Sequence, residues 1–498
     1  MPIQPPKLYD SLTRQVEPLA PIAAPAVQVY ACGPTVYDHA HIGNFRYFVW
    51  VDVLHRYLRW RGYDVQLVMN LTDVDDKIIA RAAETGVALS ELTDEFVESF
   101  RHGMETLRIL PAHAYPRATE HIDDMVSLVE RLLESGHAYD VGGNVFFRVE
   151  SFARYGQLAR PQPDEMQATE RVEGDEFGKQ DPRDFALWKA VQPGEPSWPA
   201  PFGDGRPGWH IECSAMSMRF FGETFDLHLG GADLMFPHHE NEIAQSEAAT
   251  GKQFVRHWMH CQHLIVDGAK MSKSLGNFRT LEQLGAEGHD PVAIRYLLAS
   301  VHYRRQLNLN AAALEQAHAS VQRLRDIARR VDEEFARAGA GPEHPAASEP
   351  TAVATALREA QDGFAAALED DLNTAGALGH LFTFVRELNA AFDTGDVDAD
   401  LLAGIRTWFE SIDQVLGVFA AETVSATIEV DGSALEASGP PISAELQDKI
   451  LERLAARRQR DFARADTLRE ELAAAGVEVE DTPDGGRWKL RGPITPES

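Results

Sequence analysis

The segments Val27-Gln28-Val29-Tyr30-Ala31, Cys32-Gly33-Pro34 and Asp64-Val65-Gln66-Leu67-Val68-Met69-Asn70, with the stretch between them, decide the fold class. The first is a short β-branched and aromatic run, which reads as a buried strand. A Cys-Gly-Pro turn follows. From Phe45 to Arg61 the apolar residues Phe48, Val51, Leu54 and Leu58 recur at helical steps and predict one amphipathic helix, closed by Gly62. Asp64 to Asn70 reads as the next strand. Strand, helix and strand at this spacing make a βαβ unit, hence parallel strands and an α/β domain.

Outward from this unit the pattern changes. Residues 111–200 mix Pro, Gly and short aromatic stretches such as Asn144 to Val149, and read as an insertion. Phe225 to Leu229 and Leu264 to Asp267 are candidate later strands. After about Asn310 the chain turns to Ala, Leu, Arg and Glu with helical periodicity. Residues 338–351 form a linker by composition, and helices resume from Thr351 to about Ala420. A second Ser/Ala/Gly/Pro stretch, 422–443, separates a last module, 444–492, with a basic helix and a hairpin at Asp484-Gly485-Gly486.

The chain has 498 residues, enough for about three domains. With 47 Lys and Arg against 77 Asp and Glu, the net charge of −30 argues against indiscriminate binding to nucleic acid or anionic membrane. Three cysteines exclude a disulfide scaffold and suit a reducing compartment. Met1 to Asp10 resembles no targeting segment, and no 18-residue apolar run occurs, so a cytoplasmic protein without membrane spans is expected.

Three segments carry chemistry. Pro34 to Asn44 (PTVYDHAHIGN) lies where ligands of open α/β sheets bind, beyond a strand's carboxyl end and beside a helix N-terminus that favours phosphate. His39 and His41 can donate to an oxygen gaining charge, and Gly43 permits close approach; ordinary loop histidines fit the tetrapeptide as well. Lys270 to Asn277 (KMSKSLGN) is either a phosphate clamp in which Lys273 tightens on a developing oxyanion, or a solvated loop. His238 and Glu242 are four apart and share a helix face, and with Cys32 and Cys213 they make a sensible zinc set. Packed free thiols are the alternative, and Cys261 reads as one.

With these segments in view the chain resembles the bacterial-type cysteinyl-tRNA synthetases, a class I aminoacyl-tRNA synthetase family. Tyr30 to Asn44 is similar to the family's HIGH signature, with Asn44 in the final position, and Lys270 to Ser274 spell KMSKS. NLTDVDDKI (70–78), DFALWK (184–189), GEPSW (194–198), GWHIECSAM (208–216) and GGADLMFPHHENE (230–242) match family stretches almost letter for letter. The resemblance implies a Rossmann-type class I catalytic domain with parallel sheet and insertion over 1–310, its stem-contact region at about 265–310. It further implies an α-helical tRNA-contact domain over 311–421, marked by Asp370 to Ala375, and a small C-terminal α+β anticodon-binding module over 444–492.

By the same resemblance Cys32, Cys213, His238 and Glu242 bind one Zn²⁺, and Gly33, Thr72 and Trp209 line the amino-acid pocket. His41 and Lys273 stabilise the adenylation transition state, and His39, Gly43, Asn44, Gly231, Asp233, Lys270 and Lys273 lie against ATP, which carries Mg²⁺. The expected partners are L-cysteine, ATP and tRNA(Cys), and the expected state is a monomer. Zinc prefers a soft thiolate to a hydroxyl, so ligation by the substrate's sulfur is expected to separate cysteine from serine without editing. Four protein ligands usually close a zinc site, which makes Glu242 the expected weak or distant one. Lys449 to Arg469 holds seven cations against three acids, and Trp488 could stack on a base or pack the module. The competing readings are the cysteine ligase of mycothiol biosynthesis, which lacks an anticodon module, and an idle zinc-containing RNA-binding paralogue.

Overall fold

The computed structural model describes residues 5–161, 178–272, 276–338, 351–394, 397–419, 424–430, 433–439, 443–482 and 485–490. Two compact units result. One comprises Met1–Ile265, Val301–Leu307 and Asp362–Gly379, the other Val266–Ser300, Asn308–Gln361 and His380–Ser498.

The first unit is built on a four-stranded parallel sheet of β1 (Ala26–Ala31), β2 (Asp64–Met69), β3 (Phe225–Gly231) and β4 (Val255–Cys261), in the order β4-β3-β1-β2. The expected βαβ unit is present: β1 and β2 pair in parallel from Ala26↔Asp64 to Ala31↔Met69, joined by α1 (Ile42–Trp60). Helix α1 starts three residues earlier than its apolar periodicity suggests. His41 is its N-cap, and the cap bonds replace the missing intrahelical partners of the first turn. Gly62, at φ 91°, ends it.

Of the two later strands expected, Phe225 to Leu229 is part of β3, whereas Leu264–Val266 is a short strand outside this sheet. The fourth central strand is Val255–Cys261, whose Arg256, His257 and His260 interrupt the apolar run that marks a buried strand. Between β2 and β3 an antiparallel sheet of Ala138–Val141, Asn144–Phe147, Phe185–Ala190 and Gly205–Pro207 is inserted. The marker Asp370 to Ala375 forms the turn between helices Ala352–Glu369 and Thr374–Thr394. There the buried Asp371 carboxylate accepts from Tyr9 N–H at 2.9 Å, Tyr303 Oη–H at 2.5 Å and Arg304 Nε at 2.7 Å.

In the second unit, the 422–443 stretch does not merely separate modules. Val424–Val430 (β5) and Ser433–Gly439 (β6) pair with each other and, through β6, with Gly485–Leu490 (β8), itself antiparallel to Val477–Thr482 (β7). Ser, Ala and Gly suited a linker by composition, but alternation along Ile428, Val430, Leu435 and Ala437 lets this sheet add two strands. Helices α4 (Ala444–Arg458) and α5 (Phe462–Ala474) cover it, with Leu446, Ile450, Leu454, Leu472, Val477 and Trp488 in one core.

Candidate functional site: a buried Cys-His-Glu cluster

Cys32 directly follows β1, and its N–H bonds to the Leu229 carbonyl of β3. Cys213 lies in helix α2 (Trp209–Phe221), and Glu242 in α3 (Glu240–Thr250), just after His238 and His239. All five are buried. The donor atoms of Cys32, Cys213, His238 and Glu242 lie within 4.8 Å of one another. Cys32 Sγ is 3.9 Å from Cys213 Sγ, and His238 Nε2 is 3.1 Å from Glu242 Oε1. A cation with bonds of about 2.0–2.3 Å needs such a spacing. Residues far apart in sequence meet here because loops beyond the carboxyl ends of parallel strands converge.

Sequence reasoning missed two members. His228 and His239 form a second four-donor set with Cys32 and Glu242. His228 Nε2 is 2.9 Å from Glu242 Oε2, His239 Nε2 is 3.3 Å from Cys32 Sγ, and His239 Nδ1 is 2.8 Å from His260 Nε2. A histidine inside the apolar strand Leu227-His228-Leu229 was the available signal, and strand packing hid it.

The electrostatics suit a cation. Burial drives the Cys32 thiol upward, but hydrogen bonds from Cys213 and His238 bring its pKa down to about 6. Burial opposes ionisation of Glu242 too, yet His228 and His238 hold it at about 2. His238, beside that carboxylate, rises to about 10 despite burial. Cys213 is held protonated by its bond to Cys32 and by burial. The cluster therefore retains protons on Cys213 and His238 that a divalent cation would displace. Glu242 Oε1, buried in ionic contact with His238 Nε2, accepts no well-aimed hydrogen bond among the described residues. Two thiols, an imidazole and a carboxylate fit zinc.

Around the cluster, the Gly33 N–H bonds to Asn70 Oδ1 at 2.9 Å, and Thr72 Oγ1 to Glu212 Oε2 at 3.0 Å. The loops after β1 and β2 are zipped together by Val36 N to Thr72 O and Thr72 N to Pro34 O. The Trp209 ring lies 4.1 Å from the His238 ring, centroid to centroid. A Cβ on Gly33 would meet Asn70 O at 1.7 Å. Gly33→Ala is therefore expected to cost about 1–3 kcal/mol of stability or more, because backbone blocks the added methyl; urea unfolding checks it.

His41 Nδ1 accepts from Asn44 N–H at 3.1 Å, and Asn44 Oδ1 accepts from His41 N–H at 3.0 Å. With Nδ1 an acceptor, the neutral ring carries its proton on Nε2. Gly43 and Asn44 form the first turn of α1. His39 is exposed, its Nδ1 2.8 Å from Ser99 Oγ. Gly231 ends β3, and Asp233 sits exposed in the turn Ala232–Leu234. In the second unit Asn277 Oδ1 accepts from Ser272 N–H at 2.9 Å, and Asn277 Nδ2 donates to the Lys270 carbonyl at 3.2 Å. Lys273, with Ser274 and Leu275, lies outside the described residues. Cys261 is buried, its thiol pushed up to about 11, as a packed thiol should be.

Three family profiles match the chain. That of the class I (C) tRNA synthetase catalytic domain covers residues 18–319, the DALR domain 363–420, and the cysteinyl-tRNA ligase anticodon binding domain 440–488. The cysteine--tRNA ligase of Solibacter usitatus is 45% identical over 97% of this chain and 99% of that protein. That of Maridesulfovibrio salexigens is 44% identical over 97% and 100%. Among solved structures, Mycobacterium tuberculosis methionyl-tRNA synthetase shares the fold, with TM-score 0.60 at 18% identity over 88% of this chain and 96% of that one. Aligned from end to end with such relatives, the chain belongs to the cysteine--tRNA ligases, a family of class I aminoacyl-tRNA synthetases.

Proposed function

We propose that this protein activates L-cysteine with ATP to cysteinyl-adenylate, releasing pyrophosphate, and transfers the cysteinyl group to tRNA(Cys). The observation that carries the reading is the buried two-thiol donor cluster beyond the parallel sheet of a chain that aligns end to end with cysteine--tRNA ligases. Cys32, Cys213, His238 and Glu242 hold one Zn²⁺, since two thiols make the softer of the two donor sets. When bound there, the metal offers a thiophilic contact that favours the side-chain sulfur of cysteine over the harder oxygen of serine. His228 and His239 support the ligands: His228 occupies Glu242 Oε2, which leaves Oε1 to face the cluster.

Gly33, Thr72 and Trp209 line the amino-acid pocket. His41, at the N-terminus of α1, donates from Nε2 to the phosphate oxygens as charge builds, and Lys273 adds a positive charge to the same step. His39, Gly43, Asn44, Gly231, Asp233 and Lys270 contribute to the nucleotide site, and Mg²⁺ accompanies the ATP phosphates. The substrate carboxylate is the nucleophile, so no residue needs to form a covalent bond. Cysteine-dependent ATP–pyrophosphate exchange, with serine as control and tRNA(Cys) charging beside it, tests the reading. A mycothiol-type ligase is disfavoured, because residues 440–488 match an anticodon binding domain.

On the tRNA side, the catalytic domain spans 1–310, the helical tRNA-contact domain 311–421 and the anticodon module 444–492 with β5 and β6 added. Within that module Trp488 is 3% exposed, so it packs and does not stack on a base. Much of the positive charge of the basic stretch is matched: Arg453 and Arg457 pair with Asp481, and Arg464 with Glu452. Phe462, 57% exposed beside the exposed Arg460 at the start of α5, takes the stacking role. Base stacking on an aromatic is worth about 1–3 kcal/mol, so Phe462→Ala is expected to raise the KM for tRNA several-fold to about 100-fold. Pyrophosphate exchange should stay unchanged, and parallel charging and exchange assays check this.

The enzyme works as a monomer in the cytoplasm, a setting in which three buried free cysteines persist, and light scattering tests the oligomeric state. Among the described residues no helix is long and apolar enough to cross a membrane.

A further inference from the structure

We propose that Ser11 is a positioning residue of the metal cluster: its hydroxyl ends a one-way hydrogen-bond relay that keeps the His239 ring turned to donate to the Cys32 sulfur. The inference rests on the reading above, in which Cys32 holds the metal, and adds a residue to it. Ser11 lies in the turn between strands Lys7–Asp10 and Gln15–Pro18, outside every chemical motif of the sequence, and is buried. That turn is pinned to β4. Ser11 N–H donates to the Trp258 carbonyl at 2.8 Å, and Trp258 N–H donates to Asp10 Oδ1 at 2.9 Å. The Asp10 carboxylate also accepts from Leu12 N–H at 3.1 Å and Thr13 N–H at 3.2 Å. This grip carries the Ser11 hydroxyl to His260, further along β4, with Oγ 2.8 Å from Nδ1.

From there the contacts continue in one line. His260 Nε2 is 2.8 Å from His239 Nδ1, and His239 Nε2 is 3.3 Å from Cys32 Sγ, all of it buried. Proton counting fixes the direction. A cysteine that holds a metal has given up its proton, so Cys32 Sγ only accepts and His239 Nε2 donates. Glu242 Oε1, 3.9 Å from the same nitrogen, is likewise an acceptor. A neutral imidazole has one N–H, so His239 Nδ1 is then an acceptor and His260 Nε2 its donor. Burial among other histidines keeps both rings neutral. His260 Nδ1 is left as an acceptor in turn, and the Ser11 hydroxyl is the donor that faces it. The His239 ring is also held in place, because it fills the space beside Gly230: a Cβ there would meet its Cε1 at 2.3 Å. Without the hydroxyl nothing sets the order of donors. His260 Nδ1 becomes a buried acceptor lacking a donor, and reversal of both tautomers sets lone pair against lone pair at Cys32.

The test uses the full chain loaded with Co²⁺ or Zn²⁺, without substrate. Co²⁺ reports on its sulfur ligands through a thiolate-to-metal charge-transfer absorption, and Zn²⁺ retention is read by competition with a chelator. Ser11→Ala removes the hydroxyl, and Ser11→Thr keeps it. Ser11→Ala is expected to move the charge-transfer band to longer wavelength, because a thiolate that loses its donor gives up charge more easily. It should also weaken metal retention about tenfold, the lower end of what partners behind a ligand contribute. Ser11→Thr should keep the band in place and retention within about threefold of the unsubstituted enzyme, since the hydroxyl remains. A role in packing alone would leave the band unmoved. Unchanged band and retention in Ser11→Ala, or a folded Ser11→Thr that behaves as Ser11→Ala does, overturns the proposal. Should Ser11→Ala fail to fold, Ser11→Cys, whose S–H is a weak donor, replaces it: a shifted band supports the assignment, and an unmoved one overturns it. An unsubstituted enzyme that takes up no metal overturns the functional reading above and the proposal with it, whereas unchanged variants overturn the proposal alone.

Discussion

Cys213→Ser is expected to leave the chain folded but unable to retain its metal through dialysis against a chelator, and to abolish the preference for cysteine over serine. Cys213 Sγ lies 3.9 Å from Cys32 Sγ in a cluster that is closed to solvent. A serine hydroxyl there is harder and does not ionise near neutral pH, so it is a poor replacement for a thiolate. Loss of a mere supporting partner costs about 10–100-fold in metal affinity, and loss of a direct ligand should exceed that. The measurement is metal content and cysteine-dependent exchange on the same preparation. A variant that keeps full metal content would remove Cys213 from the ligand set and turn attention to the alternative set of Cys32, His228, His239 and Glu242.

His41→Ala should lower the rate of cysteine-dependent ATP–pyrophosphate exchange by about 10²–10³, the cost of one donor aimed at developing charge. Metal content should not change, because His41 is in neither donor set. The same substitution removes the N-cap of α1, and an N-cap is worth about 0.5–2 kcal/mol. His41→Asn separates the two roles: asparagine caps the helix well but does not reproduce the imidazole Nε2–H. Stability recovered without recovery of rate marks His41 as a transition-state donor; recovery of both reduces it to a cap.

Much of this was legible in the chain itself. The apolar spacing around Phe48, Val51, Leu54 and Leu58 between two β-branched runs suffices for a βαβ unit, because local periodicity records which face a helix buries. Long unbroken matches such as GGADLMFPHHENE carried the family. What periodicity could not reach were features whose determinants lie elsewhere in the chain. Val255–Cys261 became a central strand through its partner Phe225–Gly231, although its own polar residues break the pattern. The stretch 424–439 became two strands because Gly485–Leu490 offered β6 a free edge. Trp488 was ambiguous until packing against Leu446 and Ile450 decided for the core.

The amino-acid sequence alone therefore determined the α/β class and the amphipathic helix after the first strand, since these depend on local spacing, while the four candidate metal donors were brought together in the sequence only by the family resemblance. Only the tertiary structure decided that Cys32 and Cys213, 181 positions apart, come within 3.9 Å. It also added His228 and His239 to the cluster and placed Glu212 against Thr72. The physical reason is that convergence at the carboxyl ends of parallel strands is a property of the assembled sheet. No single strand or helix carries it in its own pattern.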